Sequence, residues 1–83
     1  MEKRIGTIII LLYNTEQAQL VNRTLSEFSS IILGRQGLPA HFQRNSIISL
    51  IIEATTDEFG ALSGRLGNIK NIKVKSAVFP LKA

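Results

Sequence analysis

Eighty-three residues with no cysteine and a net charge of +4 exclude disulfide staples and thiolate metal centres, and leave room for one domain, residues 1–83, with a modest core. Apolar residues make up 45% of the chain and charged residues 19%, a globular balance that excludes a disordered segment. The lack of cysteine fits a cytoplasmic setting.

The run from Ile5 to Tyr13 is rich in β-branched residues and almost wholly apolar. It follows Lys3 and Arg4, as a signal peptide's core would, but lacks a small-residue cleavage site. It is also far short of the roughly 20 apolar residues that a bilayer span needs. It reads as a strand covered on both sides. Ile8, Ile10 and Leu12 point to one face, and Ile5, Thr7, Ile9, Leu11 and Tyr13 to the other.

Asn14 is placed to cap a helix, with Gln17 at the capping-box position. Leu20, Val21, Leu25, Phe28, Ile31 and Ile32 follow at helical spacing, which predicts a helix that ends at Gly34. From Gly34 to Arg44, Gly37 and Pro39 break regular structure and predict an edge strand or a bulged one. Asn45 and Ser46 suit a turn. Ile47 to Thr55 is a second strong strand, with Ile48, Leu50, Ile52 and Ala54 on one face. Ile47, Ser49, Ile51 and Glu53 lie on the other.

Thr55, Thr56, Asp57 and Glu58 supply caps and acidic charge for a second helix start. Phe59, Leu62, Leu66 and Ile69 continue at helical spacing, and Gly67-Asn68 ends the helix. Gly60, Ala61, Ser63 and Gly64 make another side small, which predicts close packing there. Ile72 to Phe79 alternates Ile72, Val74 and Val78 with Lys73, Lys75, Ala77 and Phe79, and Pro80 stops it. The order is β-α-β-β-α-β. It predicts an α+β, ferredoxin-like sandwich: a four-stranded antiparallel sheet with both helices on one face. The other sheet face then has no internal cover, so the chain is expected to pair with itself as a homodimer or homotetramer.

Reactive chemistry is sparse. His41 is the single histidine, whereas transition-metal sites gather three or four ligands, so no metal is expected. The serines have no G-x-S-x-G context. Asp57 and Glu58 are explained as helix-start charge. Gly60, Gly64 and Gly67 match no phosphate-loop spacing. No enzyme is expected, and no cofactor. RNA-recognition domains of this topology stack bases on sheet aromatics, and the segments Thr7 to Leu11 and Ile47 to Ile51 contain none. The basic residues are scattered except for Lys70, Lys73 and Lys75, so direct nucleic-acid binding through that patch is an alternative reading rather than the first, as is a purely structural assembly domain without a small ligand.

Three stretches carry a family resemblance: Gly34-Arg35-Gln36-Gly37-Leu38-Pro39, Ser46 to Ile52, and Gly60-Ala61-Leu62-Ser63-Gly64-Arg65-Leu66-Gly67-Asn68-Ile69 with Val74-Lys75. Together they resemble the small stand-alone regulators of the iron-only hydrogenase system of anaerobic bacteria. The resemblance implies an ACT-like fold, similar to the C-terminal domain of the nickel-responsive repressor. It also implies a ligand-sensing regulatory role linked to transcription. That repressor domain uses a His-x-His pair and a cysteine. Here Pro39 and Gln43 flank His41 at two residues' distance, so a nickel site of that type is not expected. The ribbon-helix-helix DNA-binding arm is missing too, which implies regulation through a partner. ACT domains carry Asp-x-x-Gly-x-Leu at the first βα turn. Asp57 to Leu62 has that pattern at the second. Arg35, His41 and Asn45, on or beside the irregular second strand, are the candidate ligand contacts.

Overall fold

The computed structural model describes the backbone of residues 2–42 and 45–80, and the side chains of the same residues except 39–42. Strand β1 (Arg4–Leu12) leads through a 3-10 turn at Thr15–Gln17 into helix α1 (Ala18–Glu27). A second 3-10 turn at Ser29–Ile31 feeds strand β2 (Ile32–Phe42), followed by β3 (Asn45–Ala54), α2 (Thr56–Gly67) and β4 (Ile72–Val78). The strands form one antiparallel sheet in the order β2-β3-β1-β4. This is the ferredoxin-like α+β arrangement, with its two most apolar strands at the centre.

The alternation of β1 and β3 decides which sheet face the helices cover. Ile8, Ile10 and Leu12 pack with Ile48, Leu50, Ile52 and Ala54, and all of these are buried. Val21 and Leu25 of α1, with Phe59, Leu62 and Leu66 of α2, close the core from the helix side. Thr24 is the buried polar residue, and its hydroxyl donates 3.0 Å to the Leu20 carbonyl one turn back. Gly6 has a steric reason. A Cβ there would lie 2.6 Å from the Ala77 carbonyl oxygen and 2.9 Å from the Phe59 ring.

The second helix starts as expected. The Thr55 hydroxyl accepts from the Glu58 amide, and the Glu58 carboxylate accepts from the Thr55 amide, a complete capping box. The first helix differs from expectation at both ends. Asn14 accepts from the Glu16 amide at 3.0 Å rather than from Gln17. The helix proper stops at Glu27, so Ile32 and Gly34 belong to β2 and Gly34 is no cap. Ile32 satisfies a strand's periodicity as well as a helix's, and pairing with β3 wins, while Ile31 closes the second 3-10 turn. Leu20 lies 43% exposed, outside the core stripe. Asn45 and Ser46 form the first residues of β3 rather than a turn. The strand β2 is bulged and on an edge, as its glycines predict, with register shifts at Ile32/Gly34 and Leu38/Phe42. The small side of α2 does not pack closely: Gly60, Ala61 and Gly64 are exposed, and no atom lies within 4 Å of a Cβ built on either glycine.

Candidate functional site

The sheet face away from the helices exposes large apolar side chains, Ile5, Ile9 and Ile51 among them. β1 contributes Ile5, Thr7, Ile9 and Leu11, and β3 contributes Ile47, Ser49, Ile51 and Glu53. From β4 come Lys73, Lys75 and Ala77, with Phe79 just beyond, its amide bonded to the Ile5 carbonyl. Ile9 and Ile51 are 43% and 47% exposed, high for isoleucines at the centre of a sheet. A depression of about 450 Å³ opens among Ile5, Thr7, Ile51, Ala77, Phe79 and Pro80. Its one side-chain polar group, the Thr7 hydroxyl, donates to the Leu50 carbonyl at 2.7 Å. The face therefore offers apolar contact and shape rather than hydrogen bonds. Charge sits only at its margin, with Lys73 and Lys75 on β4 and Glu53 at the end of β3.

A second hollow of about 310 Å³ lies between α1 and β2, bordered by Leu25, Ser26, Ser29, Ile32, Gly34 and Arg35. Its position follows from register. Arg35 pairs with the buried Leu50, so its side chain rises on the helix side of the sheet. There Arg35 Nη2 donates to the Asn22 side-chain oxygen at 2.7 Å. The Asn22 carbonyl accepts from Ser26 Oγ at 3.0 Å. Within the hollow the guanidinium of Arg35 is the charged donor, a group that suits a carboxylate or phosphate.

Arg35 and Asn45 are not brought together. Asn45 lies at the start of β3 opposite Phe42, five residues along from Leu50, or about 17 Å of strand. The backbone of His41 neighbours that end of the β2–β3 pair, and its side chain lies outside the described residues. Lys73 and Lys75 share the open face, and Lys70 is exposed in the turn before β4. Among the described residues no three His, Asp or Glu side chains gather as a metal site, and no helix is long and apolar enough to cross a membrane. Sequence reasoning missed the Arg35–Asn22 pair. It also missed the depression under Phe79, although the alternation of Ala77 and Phe79 with the lysines was a usable signal.

Comparison with known proteins bears on this arrangement. The model of a family described as TM1266-like, proposed iron-only hydrogenase system regulators, matches residues 4–76. The structure of the uncharacterized protein TM1266 from Thermotoga maritima is similar at 38% identity and a TM-score of 0.87, over 95% of this chain and 100% of that one. A nitrogen regulatory PII-like protein from Thiomonas intermedia, bound to ADP, AMP and bicarbonate, is similar in fold at 11% identity. Its TM-score is 0.50 over 96% of this chain and 100% of that one. No curated protein matches. The match of the family model over most of the chain, with a 38% identical structure alongside it, establishes that the chain belongs to the TM1266-like family of proposed iron-only hydrogenase system regulators.

Proposed function

We propose that the chain is a single, non-catalytic regulatory domain that self-associates and responds to a small anionic ligand. The observation that carries this reading is the open sheet face. Ile5, Ile9, Leu11, Ile47 and Ile51 form a contiguous apolar surface on strands whose other side is already the core. Monomeric proteins rarely expose such patches beyond a few hundred Å². A second copy covers it most simply, as a homodimer or as half of a homotetramer.

Arg35 is the proposed ligand contact, because its guanidinium borders the hollow between α1 and β2 together with Ser29, and Asn22 steadies it from the side. Asn45 is a second candidate contact, at the far end of the β2–β3 pair. Membership of the regulator family supports a role in controlling the hydrogenase system, and a partner protein would carry that signal to DNA.

Light scattering at micromolar concentration is expected to give at least twice the 9.2 kDa of one chain; the mass of one chain would overturn the self-association. A thermal-shift screen over carboxylates, phosphates and nucleotides is expected to find a stabilising ligand. The screen should include ADP, AMP and bicarbonate, the ligands held by the PII-like structure. Arg35→Ala should abolish the shift, and a shift that survives it would move the ligand elsewhere.

A further inference from the structure

The charges at the margin of the open face are placed symmetrically about Thr7. On β3, Ile51 pairs with Thr7 and Glu53 with Ile5. On β4, Ala77 pairs with Thr7 and Lys75 with Ile9. Glu53 is thus one strand to one side of Thr7 and one side-chain row toward Ile5. Lys75 is one strand to the other side and one row toward Ile9. Thr7 is the midpoint between them. Both charged groups are exposed, and neither joins the ion pair that Glu27 and Arg65 form, the one ion pair among the described residues.

From this geometry we infer that two copies pack open face to open face about a two-fold axis through Thr7, so that Glu53 of each copy meets Lys75 of the other. The inference rests on the self-association proposed above and specifies its register. A two-fold lying in the plane of the face, perpendicular to the line from Glu53 to Lys75, exchanges the two positions and yields two ion pairs per dimer. The apolar residues then fall into place. With strands about 4.8 Å apart and same-face rows about 6.8 Å apart, Ile9 of each copy lands on Ile51 of the other. Ile5 of each copy lands beside Ala77 of the other, at the depression. The strands of the two sheets cross at about 70°, close to the orthogonal class of sheet packing. Lys73 carries the same charge on the same strand, but the same operation carries it past the β2 edge, where the described residues hold no carboxylate.

Charge reversal tests the register. All three positions are exposed, so the variants should keep the wild-type circular dichroism spectrum. At low salt, Glu53→Lys and Lys75→Glu should each weaken dimerisation by about tenfold or more, and the double exchange Glu53→Lys/Lys75→Glu should recover most of it. The control exchange Glu53→Lys/Lys73→Glu has the same net charge and should not recover it. A wild-type dimer that tolerates both single reversals, or that both double variants restore equally, would overturn this register while leaving self-association standing. A wild-type chain with the mass of one copy would overturn both.

Discussion

Both carboxylate oxygens of Glu27 accept from the same Arg65 nitrogen, at 3.0 and 3.1 Å, while that guanidinium lies over the Phe28 ring, 5.7 Å from its centroid. The cluster ties the end of α1 to α2 at the surface. Its two ionic side chains are 48% and 50% exposed, so the ion pair adds on the order of 0.5 kcal/mol and less in salt. Phe28 is correspondingly only half-buried, although it sits mid-stripe in the helical pattern.

The packing difference between Phe28 and Leu66 sets the first prediction. Leu66 is fully buried, and Leu66→Ala should cost about 2–5 kcal/mol. Phe28→Ala removes partly wet surface and one cation–π partner, and should cost about 1–2 kcal/mol. Urea unfolding of the two variants compares them directly. Equal costs would mean that Phe28 is packed more deeply than this arrangement allows.

Much of this fold was legible because its central strands are unambiguous. β1 and β3 present buried and open faces in strict alternation, and the caps and acidic charge of Thr55 to Glu58 mark the start of α2, with Thr55 the one that serves as N-cap. The end of α1 was not legible. Ile32 continues the helical stripe and equally begins a strand, and only its pairing with Ile52 decides for the strand. Turn chemistry at Asn45 and Ser46 likewise yields to ladder pairing. Of the candidate contacts, Arg35 was found as a residue but not as a site. Its partner Asn22 lies on another element, and although Gly34 and Gly37 predict an irregular strand, they do not place the bulge at Leu33 that sets which face Arg35 occupies.

Glu58 supplies a pH prediction. The Thr55 amide donating to its carboxylate, with the Thr55 hydroxyl and more distant Lys3 adding to the effect, holds its pKa below the ordinary 4.5 against a small opposing desolvation. A carboxyl with a lowered folded pKa stabilises the fold fully above its unfolded value. That contribution is lost as pH falls through the folded value. Stability should therefore decline below about pH 4.5. Glu58→Gln keeps the capping geometry but cannot titrate, so its melting temperature should fall less steeply over that range. Parallel slopes for wild type and variant would remove Glu58 from the acid response.

Arg35 should separate stability from ligand response. The side chain is exposed and bonded to a single amide, so Arg35→Met should change unfolding free energy by no more than about 0.5 kcal/mol. The same variant should lose the thermal shift given by any carboxylate or phosphate that stabilises the wild type. Loss of stability without loss of the shift would assign Arg35 a structural role alone.

The glycines give the sharpest contrast. Gly6 lies on β1 where the β4 backbone and the Phe59 ring close in, and the nearest atom to an added Cβ is a carbonyl oxygen that side-chain rotation cannot move. Gly6→Ala should therefore push β4 or Phe59 outward and cost about 1–3 kcal/mol, like other overpacking changes. Gly60 and Gly64 stand on the outward side of α2 with nothing within reach. A methyl group there meets no neighbour, and it reduces the freedom of the unfolded chain. Gly60→Ala and Gly64→Ala should each stabilise by about 0.4–1 kcal/mol. The outward side of α2 is on the opposite side of the sheet from the proposed dimer face, so the paired variant Gly60→Ala/Gly64→Ala should raise the urea midpoint without altering the dimerisation constant. A raised midpoint together with weakened dimerisation would show that copies meet through the small face of α2 instead.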